Sequence, residues 1–291
     1  MRLNRSVSIP QGLKWHQNSC ALDSTLSILY YIYLSNPVRW STLLKRRYTM
    51  GVQLDLQFTS VYSNSKTFES IRQTLRYKLN KINSGITLRG YISLYLLLDL
   101  LLQTKSTTFQ NDMSCSCCLR IKRSIQIKSA FMEGGMMDAI HSYFANEEND
   151  PSKISLLKLA KISKDCTSFS TCPGCRFNWN VKSQLVNVPP IICLPLPSLP
   201  TSSIPNLKIN QVLVLKDNND KKHYFNIKEL IYYGHNHYTC RIVAQDGTVW
   251  FSDGMINAGQ FVSEGSIHIF TNQQLQECHD RYLTAVIYAK K

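Results

Sequence analysis

The chain has 291 residues, of which 44% are hydrophobic and 18% charged, and this balance is typical of a folded globular protein with a full core rather than a disordered chain. Its formal net charge of +14 is spread along the sequence, so a solvated basic face explains it as well as a nucleic-acid partner does. No apolar run is long enough to span a membrane, and the N-terminus has no apolar core of a signal peptide, so we expect an intracellular protein of the cytoplasm or nucleus.

The first predicted element is a buried helix over the apolar segment Leu26–Leu34. Cys20 stands just before it, after a polar segment. A thiol at the start of a helix lies at the positive end of the helix dipole, beside free backbone N–H groups, and both favour the nucleophilic thiolate. The alternative is an inert cysteine packed at a helix cap.

The rest of the first third is predicted to be helical. Apolar residues recur at helical spacing over Phe68–Leu79, and the same test indicates a second helix over Leu88–Leu102. The Ser- and Thr-rich segment Thr59–Thr67 is predicted to be a loop.

The middle of the chain contains two CxxC pairs, Cys115/Cys118 and Cys172/Cys175. Each pair can present two thiolates from one tight turn, and two such turns together form the tetrahedral four-sulfur site that zinc prefers. We therefore predict a structural zinc ion. Cys117 competes with its neighbours for a place in this site, and Cys166 is a further substitute. Unliganded or redox-active thiols are the alternative.

An extended proline-rich linker is predicted at Leu194–Pro205, and from Lys208 onward the sequence predicts short strands separated by turns. The runs Tyr238–Val243 and Thr248–Phe251 are joined through an Asp-Gly turn, which is a strong hairpin signal. His237 begins the first run and Asp253 follows the second, so antiparallel pairing brings the carboxylate back to the imidazole.

Two neighbours compete for these roles. His235 lies two residues from His237 and could share its strand face, and Asp246 lies at the predicted tip of the turn, where a plain turn residue is the better interpretation. Asp253 could itself be a turn residue before Gly254.

The segment 12–24, with the sequence GLKWHQNSCALDS, resembles the cysteine box of ubiquitin-specific proteases. The Gly-Leu opening, Asn18, Cys20 and Ser24 match its pattern, although Asp23 stands where the family has Asn. The His-Tyr-Thr that begins at His237 and the strand-like segment from Val188 also match, in family order. The Leu-x-Trp opening resembles the branch of the family that cleaves SUMO.

This resemblance implies a papain-like α+β fold in one catalytic domain over residues 1–291. It implies a helical thumb at 10–110, zinc-bearing fingers at 111–187 and an antiparallel β palm at 188–291. The family's Gln-Gln-Asp helix motif is absent from the predicted helix at Leu88–Leu102.

The resemblance also implies chemistry: Cys20 as nucleophile, His237 as general base and Asp253 as the group that orients it. The family's oxyanion donor, an Asn five residues before the cysteine, is replaced by Trp15, and Gln17 or Asn18 is chemically better suited to that role.

The expected function is hydrolysis after the C-terminal Gly-Gly of ubiquitin or a modifier such as SUMO. Two alternatives stay open. One is a degenerate protein that binds a modifier without cleaving it, and the other is a basic, zinc-containing nucleic-acid binder, which leaves the cysteine and histidine boxes unexplained.

Overall fold

The computed structural model describes residues 9–115, 117, 122–130, 175, 179–196 and 207–291. Within these residues the N-terminal third is helical, and none of its helices is both long enough and apolar enough to cross a membrane. Its helices are α1 (Cys20–Ser35), α2 (Pro37–Arg47), α3 (Gly51–Tyr62), α4 (Phe68–Ile82) and α5 (Leu94–Leu101).

Helix α4 forms where its apolar spacing predicts. Thr67 caps the helix, its side chain accepting a hydrogen bond from the Ser70 backbone N–H at 3.2 Å. The apolar residues three and four apart, including Ile71, Leu75 and Leu79, are fully buried. One face of α4 therefore packs into the helical core.

Two predicted boundaries were wrong. Helix α3 continues to Tyr62 through part of the segment predicted to be a loop, and the Ser60 hydroxyl donates to the Leu56 carbonyl one turn back, which makes that residue compatible with a helix. Helix α5 begins at Leu94 rather than Leu88, because Ser93 caps it there and residues 83–93 form an irregular connection.

The strands form two antiparallel sheets. They are β1 (Phe109–Cys115), β2 (Lys122–Ile127), β3 (Trp179–Leu185), β4 (Ile191–Pro195), β5 (Val212–Lys216), β6 (Lys222–Gly234), β7 (His237–Val243), β8 (Thr248–Ser252), β9 (Val262–Ser266), β10 (Glu277–Cys278) and β11 (Arg281–Lys290). A three-stranded sheet has the order β2-β1-β3. In the larger, eight-stranded sheet, six strands follow the order β10-β11-β6-β7-β8-β9, β4 pairs with β11, and β5 pairs with β6. A short helix, α6 (Asn272–Gln276), precedes β10.

The mixed fold of helices and antiparallel sheet is confirmed. The α1 helix packs against one face of the large sheet, where Leu22 and Leu26 share a buried core with Ile231 of β6 and Ile242 of β7. This packing brings the N-terminus of α1 to the start of β7. The division at 10–110, 111–187 and 188–291 stays a prediction, and most of the proline-rich linker lies outside the described residues.

Candidate active site

Cys20 is the first residue of α1 and is 5% exposed. Its predecessor, Ser19, makes no side-chain capping bond to the helix, so the first-turn N–H groups have no side-chain cap from that residue. A small cavity opens beside the thiol, and its walls include Trp15, Ser24 and Ser252. The structure therefore places a cysteine at the positive end of a buried helix, at the edge of a polar cavity.

His237 lines the same cavity and is paired with Asp253. The Nε2 atom of His237 lies 2.8 Å from Oδ1 of Asp253, and both residues are buried. The same oxygen accepts a hydrogen bond from the Met255 backbone N–H at 2.9 Å, and Arg281 lies 3.4 Å from the other carboxylate oxygen. Because Asp253 occupies Nε2, the Nδ1 atom is the ring nitrogen left to interact with Cys20.

The electrostatics couple these groups. Burial works to lower the pKa of His237, but its hydrogen bonds and charge interactions with Asp253 and Cys20 outweigh burial and raise that pKa to about 9. Burial alone would raise the pKa of Asp253, yet the hydrogen bond and charge of His237, with the Met255 N–H and Arg281, hold it below its usual range. The arrangement favours an imidazolium oriented by a carboxylate.

The β7–β8 hairpin brings these two residues together. Cys240 pairs with Ser252, so the end of β8 returns beside the start of β7. Asp246 lies in the turn, where its carboxylate accepts from the Thr248 backbone N–H at 3.0 Å, as expected of a turn residue. His235 lies in the exposed β6–β7 turn, with a left-handed φ of 52°.

The predicted oxyanion donors lie on the loop before Cys20. Gln17 and Asn18 both adopt left-handed backbone conformations, with φ of 50° and 58°. The Asn18 side-chain amide donates to the carbonyl of Arg89 at 3.2 Å. The Trp15 backbone N–H donates to the carbonyl of Gly254 at 3.0 Å, which ties this loop to the segment after Asp253.

Three buried charged residues beside this loop had no predicted role. Arg72 and Arg76 of α4 and Asp23 of α1 have exposures of 3%, 0% and 6%. The sequence does contain a signal for the two arginines, because each directly follows an apolar residue of the buried face of α4. A cation next to a buried face is rarely buried unless it is paired with an acceptor.

Two of the four predicted zinc ligands lie within the described residues. The Cys115 and Cys175 sulfur atoms are 3.2 Å apart, so both thiolates can reach one zinc ion at about 2.3 Å. The chemistry of these two donors fits zinc. Cys117 is exposed, whereas Cys118, Cys172 and Cys166 lie outside the described residues.

Another group with metal-ligand chemistry lies among the described residues, at Glu264, Cys278 and His279. The Glu264 carboxylate accepts two hydrogen bonds from Arg241, at 2.7 and 3.2 Å. The ion pair with Arg241 therefore neutralises the Glu264 carboxylate, and its charge does not require a metal ion.

Comparisons with known proteins support the fold. No protein-family model and no curated protein sequence matches the chain. A solved SAGA DUB module of Ubp8, Sgf11, Sus1 and Sgf73, bound to monoubiquitin, matches at a TM-score of 0.52 and 11% identity, over 100% of this chain and 72% of the solved one. The same module bound to ubiquitin aldehyde matches at 0.50 and 15%, over 97% and 69%. The chain therefore shares the fold of a ubiquitin-specific protease module.

Proposed function

We propose that this chain is a cysteine isopeptidase of the ubiquitin-specific protease type, which hydrolyses the bond after the C-terminal Gly-Gly of ubiquitin. The observation that carries the proposal is the meeting of Cys20, at the start of α1, with the hydrogen-bonded pair His237 and Asp253. Ubiquitin is preferred to SUMO because the structures of similar fold are bound to ubiquitin.

In this mechanism the proton of the Cys20 thiol is held on Nδ1 of His237, as the raised pKa of His237 favours, and the thiolate attacks the isopeptide carbonyl. The tetrahedral intermediate collapses when His237 gives this proton to the departing lysine amine, which leaves a thioester on Cys20. His237 then takes a proton from water, the hydroxide attacks the thioester, and the Cys20 thiolate is expelled, while the carboxylic acid of the released modifier loses its proton to solvent. Asp253 orients the imidazole throughout and stabilises its charged form.

The negative oxygen of both intermediates needs donors. The backbone N–H of Cys20, in the first turn of α1, is suited to this role. The left-handed loop residues Gln17 and Asn18 supply the second donor, from a side chain or from the backbone.

Zinc has a structural role in this proposal. Cys115, Cys118, Cys172 and Cys175 would hold it, and four thiolates leave no open position for catalytic water. The 3.2 Å separation of the Cys115 and Cys175 sulfurs supports the pairing of the two CxxC turns. Zinc would join the ends of the three-stranded sheet, remote in sequence from Cys20 and His237.

Covalent capture tests the proposed function. Zinc-loaded protein is incubated with ubiquitin that carries a C-terminal thiol-reactive group, beside the same probe made from SUMO. We expect a ubiquitin adduct on the native chain and none on Cys20→Ala, with Cys240→Ala as a control that keeps the nucleophile. A SUMO adduct alone would replace ubiquitin as the modifier, and an adduct that survives Cys20→Ala would refute the proposed nucleophile.

One observation favours a second candidate, a protein that binds a modifier without cleaving it. Trp15 replaces the usual oxyanion donor, and the Asn18 amide is already engaged by the Arg89 carbonyl. Such a protein would bind unmodified ubiquitin in a titration but form no adduct and release no product from a ubiquitin C-terminal amide.

A further inference from the structure

Two arginines of α4 lie against the loop that leads to Cys20. Arg72 and Arg76 are one helical turn apart and have exposures of 3% and 0%. Charged side chains are almost never fully buried unless their charge and their N–H groups are paired. The acceptors of these two guanidinium groups therefore indicate their role.

Arg76 binds three backbone carbonyls. Its Nε donates to Thr87 at 2.7 Å, one terminal nitrogen to Gln17 at 2.9 Å and the other to Gly90 at 2.7 Å. These carbonyls belong to two separate segments, the loop before Cys20 and the connection between α4 and α5. A single rigid guanidinium thus joins both segments to α4.

Arg72 holds the same loop at a second point. One of its terminal nitrogens donates to the Lys14 carbonyl at 2.6 Å and lies 3.1 Å from a carboxylate oxygen of Asp23. The other carboxylate oxygen accepts from the Ser19 hydroxyl at 2.5 Å, and that hydroxyl accepts from the His16 backbone N–H at 3.1 Å. The loop is therefore bound to α4 directly at Lys14 and Gln17, and at Ser19 through Asp23 of α1.

The conformation that these contacts hold is an unfavourable one. Gln17 and Asn18 are consecutive non-glycine residues in the left-handed region, with φ of 50° and 58°. Asn tolerates this region, but Gln has no such advantage. Strained backbone persists only where its surroundings over-determine it, and the Gln17 carbonyl is the one that Arg76 holds.

We propose that Arg72 and Arg76 are positioning residues, which hold residues 14–19 in the conformation that aims the oxyanion donors. The inference rests on the proposed function for its kinetic consequence, but the loop geometry can be measured without any modifier.

The test compares native protein with Arg76→Lys, Arg76→Met and the control Lys81→Met, which removes an exposed positive charge from the same helix. Two quantities are measured: steady-state hydrolysis of a fluorogenic ubiquitin C-terminal amide, and backbone hydrogen exchange over residues 14–19.

We expect Arg76→Lys to lower kcat about 10²-fold with KM unchanged, since a displaced oxyanion donor weakens the transition state and not the bound substrate. Hydrogen exchange over 14–19 should become faster in Arg76→Lys and Arg76→Met. The control Lys81→Met should match native protein in both measurements.

Native kcat and native hydrogen exchange in Arg76→Lys would overturn the positioning role. If Arg76→Met does not fold, Arg72→Gln tests the positioning role, with the same loss of kcat and faster exchange expected. If native protein does not hydrolyse the ubiquitin substrate, the proposed function fails, while hydrogen exchange still decides this inference.

Discussion

His237 lies between a thiol and a carboxylate, and its ionisation depends on both. Its pKa of about 9 reflects hydrogen bonds and charges from Asp253 and Cys20 that outweigh burial. Since that pKa is raised above the ordinary value of 6.5, the pair stabilises the folded protein most below pH 6.5, and this contribution is lost as the pH rises through about 9. The same ionisation should limit activity at alkaline pH.

The variant Asp253→Asn tests this coupling. Without the carboxylate charge the pKa of His237 falls, so we expect the alkaline limb of the kcat/KM profile to move to lower pH, and kcat to drop by about 10²- to 10⁴-fold. Asp246→Asn in the hairpin turn is the matched control and should keep the native profile. An unshifted alkaline limb in Asp253→Asn would show that Asp253 does not set the ionisation of His237.

Glu229 of β6 is a second buried ionisable group, with 0% exposure. Burial raises its pKa well above the ordinary 4.5, and the hydrogen bond with Cys240 offsets this only in part. Because the folded state holds this proton more tightly than the unfolded chain, the free energy of unfolding should decrease as the pH rises above about 4.5, by up to about 1.4 kcal/mol per pH unit.

The variant Glu229→Gln should remove that slope and be more stable than native protein at pH 8, because an amide has no charge to bury. Urea unfolding at a series of pH values measures it, with the exposed Glu69→Gln of α4 as control. A slope that persists in Glu229→Gln would assign the pH dependence to other groups.

At the scale of elements, the sequence predicts best where one local rule decides. Apolar spacing gave α4, and the Asp-Gly turn gave the β7–β8 hairpin, because helical periodicity and turn chemistry are local. The hydrogen bonds from Arg76 to the Gln17 and Gly90 carbonyls could not be predicted, because every residue has a backbone carbonyl and the sequence does not mark which one accepts. The start of α5 was missed because the apolar segment extends beyond its capping Ser93.

The loop that leads to Cys20 and the loop that follows Asp253 meet at two glycines. A β-carbon on Gly12 would lie 1.9 Å from the carbonyl oxygen of Gly259, so only glycine allows this approach without movement. Residues Gln11 and Gln260 form a β-bridge beside it. The contact therefore joins the segment that precedes Cys20 to the segment that follows Asp253.

The variant Gly12→Ala should force these loops apart. We expect a loss of about 1–3 kcal/mol in the free energy of unfolding, as for other overpacked sites, together with a lower kcat. Gly85→Ala is the control, because its new β-carbon would meet only movable side-chain ends, those of Leu96 and Asn83. Native stability and kcat in Gly12→Ala would show that the loop contact is not needed.

At the scale of the whole molecule, the candidate site joins distant parts of the chain. Cys20 comes from the helical third and His237 from the large sheet, whereas Cys115 ends β1 of the three-stranded sheet. The Cys115 and Cys175 sulfurs lie 3.2 Å apart although 60 residues separate them in sequence. The proposed zinc ion would close this long loop and so limit the freedom of the unfolded chain, while Cys20 and His237 would keep their own contacts.

Zinc removal should therefore lower the melting temperature of the protein and leave the reactivity of Cys20 unchanged as long as the protein stays folded. We expect elemental analysis of purified protein to find one zinc ion per chain. The variants Cys115→Ser and Cys175→Ser should lose this ion and unfold at a lower temperature. The control Cys193→Ala, which removes a thiol from the core, should keep it. Cys117→Ser decides whether that exposed thiol replaces a neighbour as ligand. At temperatures where the zinc-free variants remain folded, Cys20 should react with iodoacetamide at the native rate. Full zinc content in Cys115→Ser would contradict the predicted ligand set.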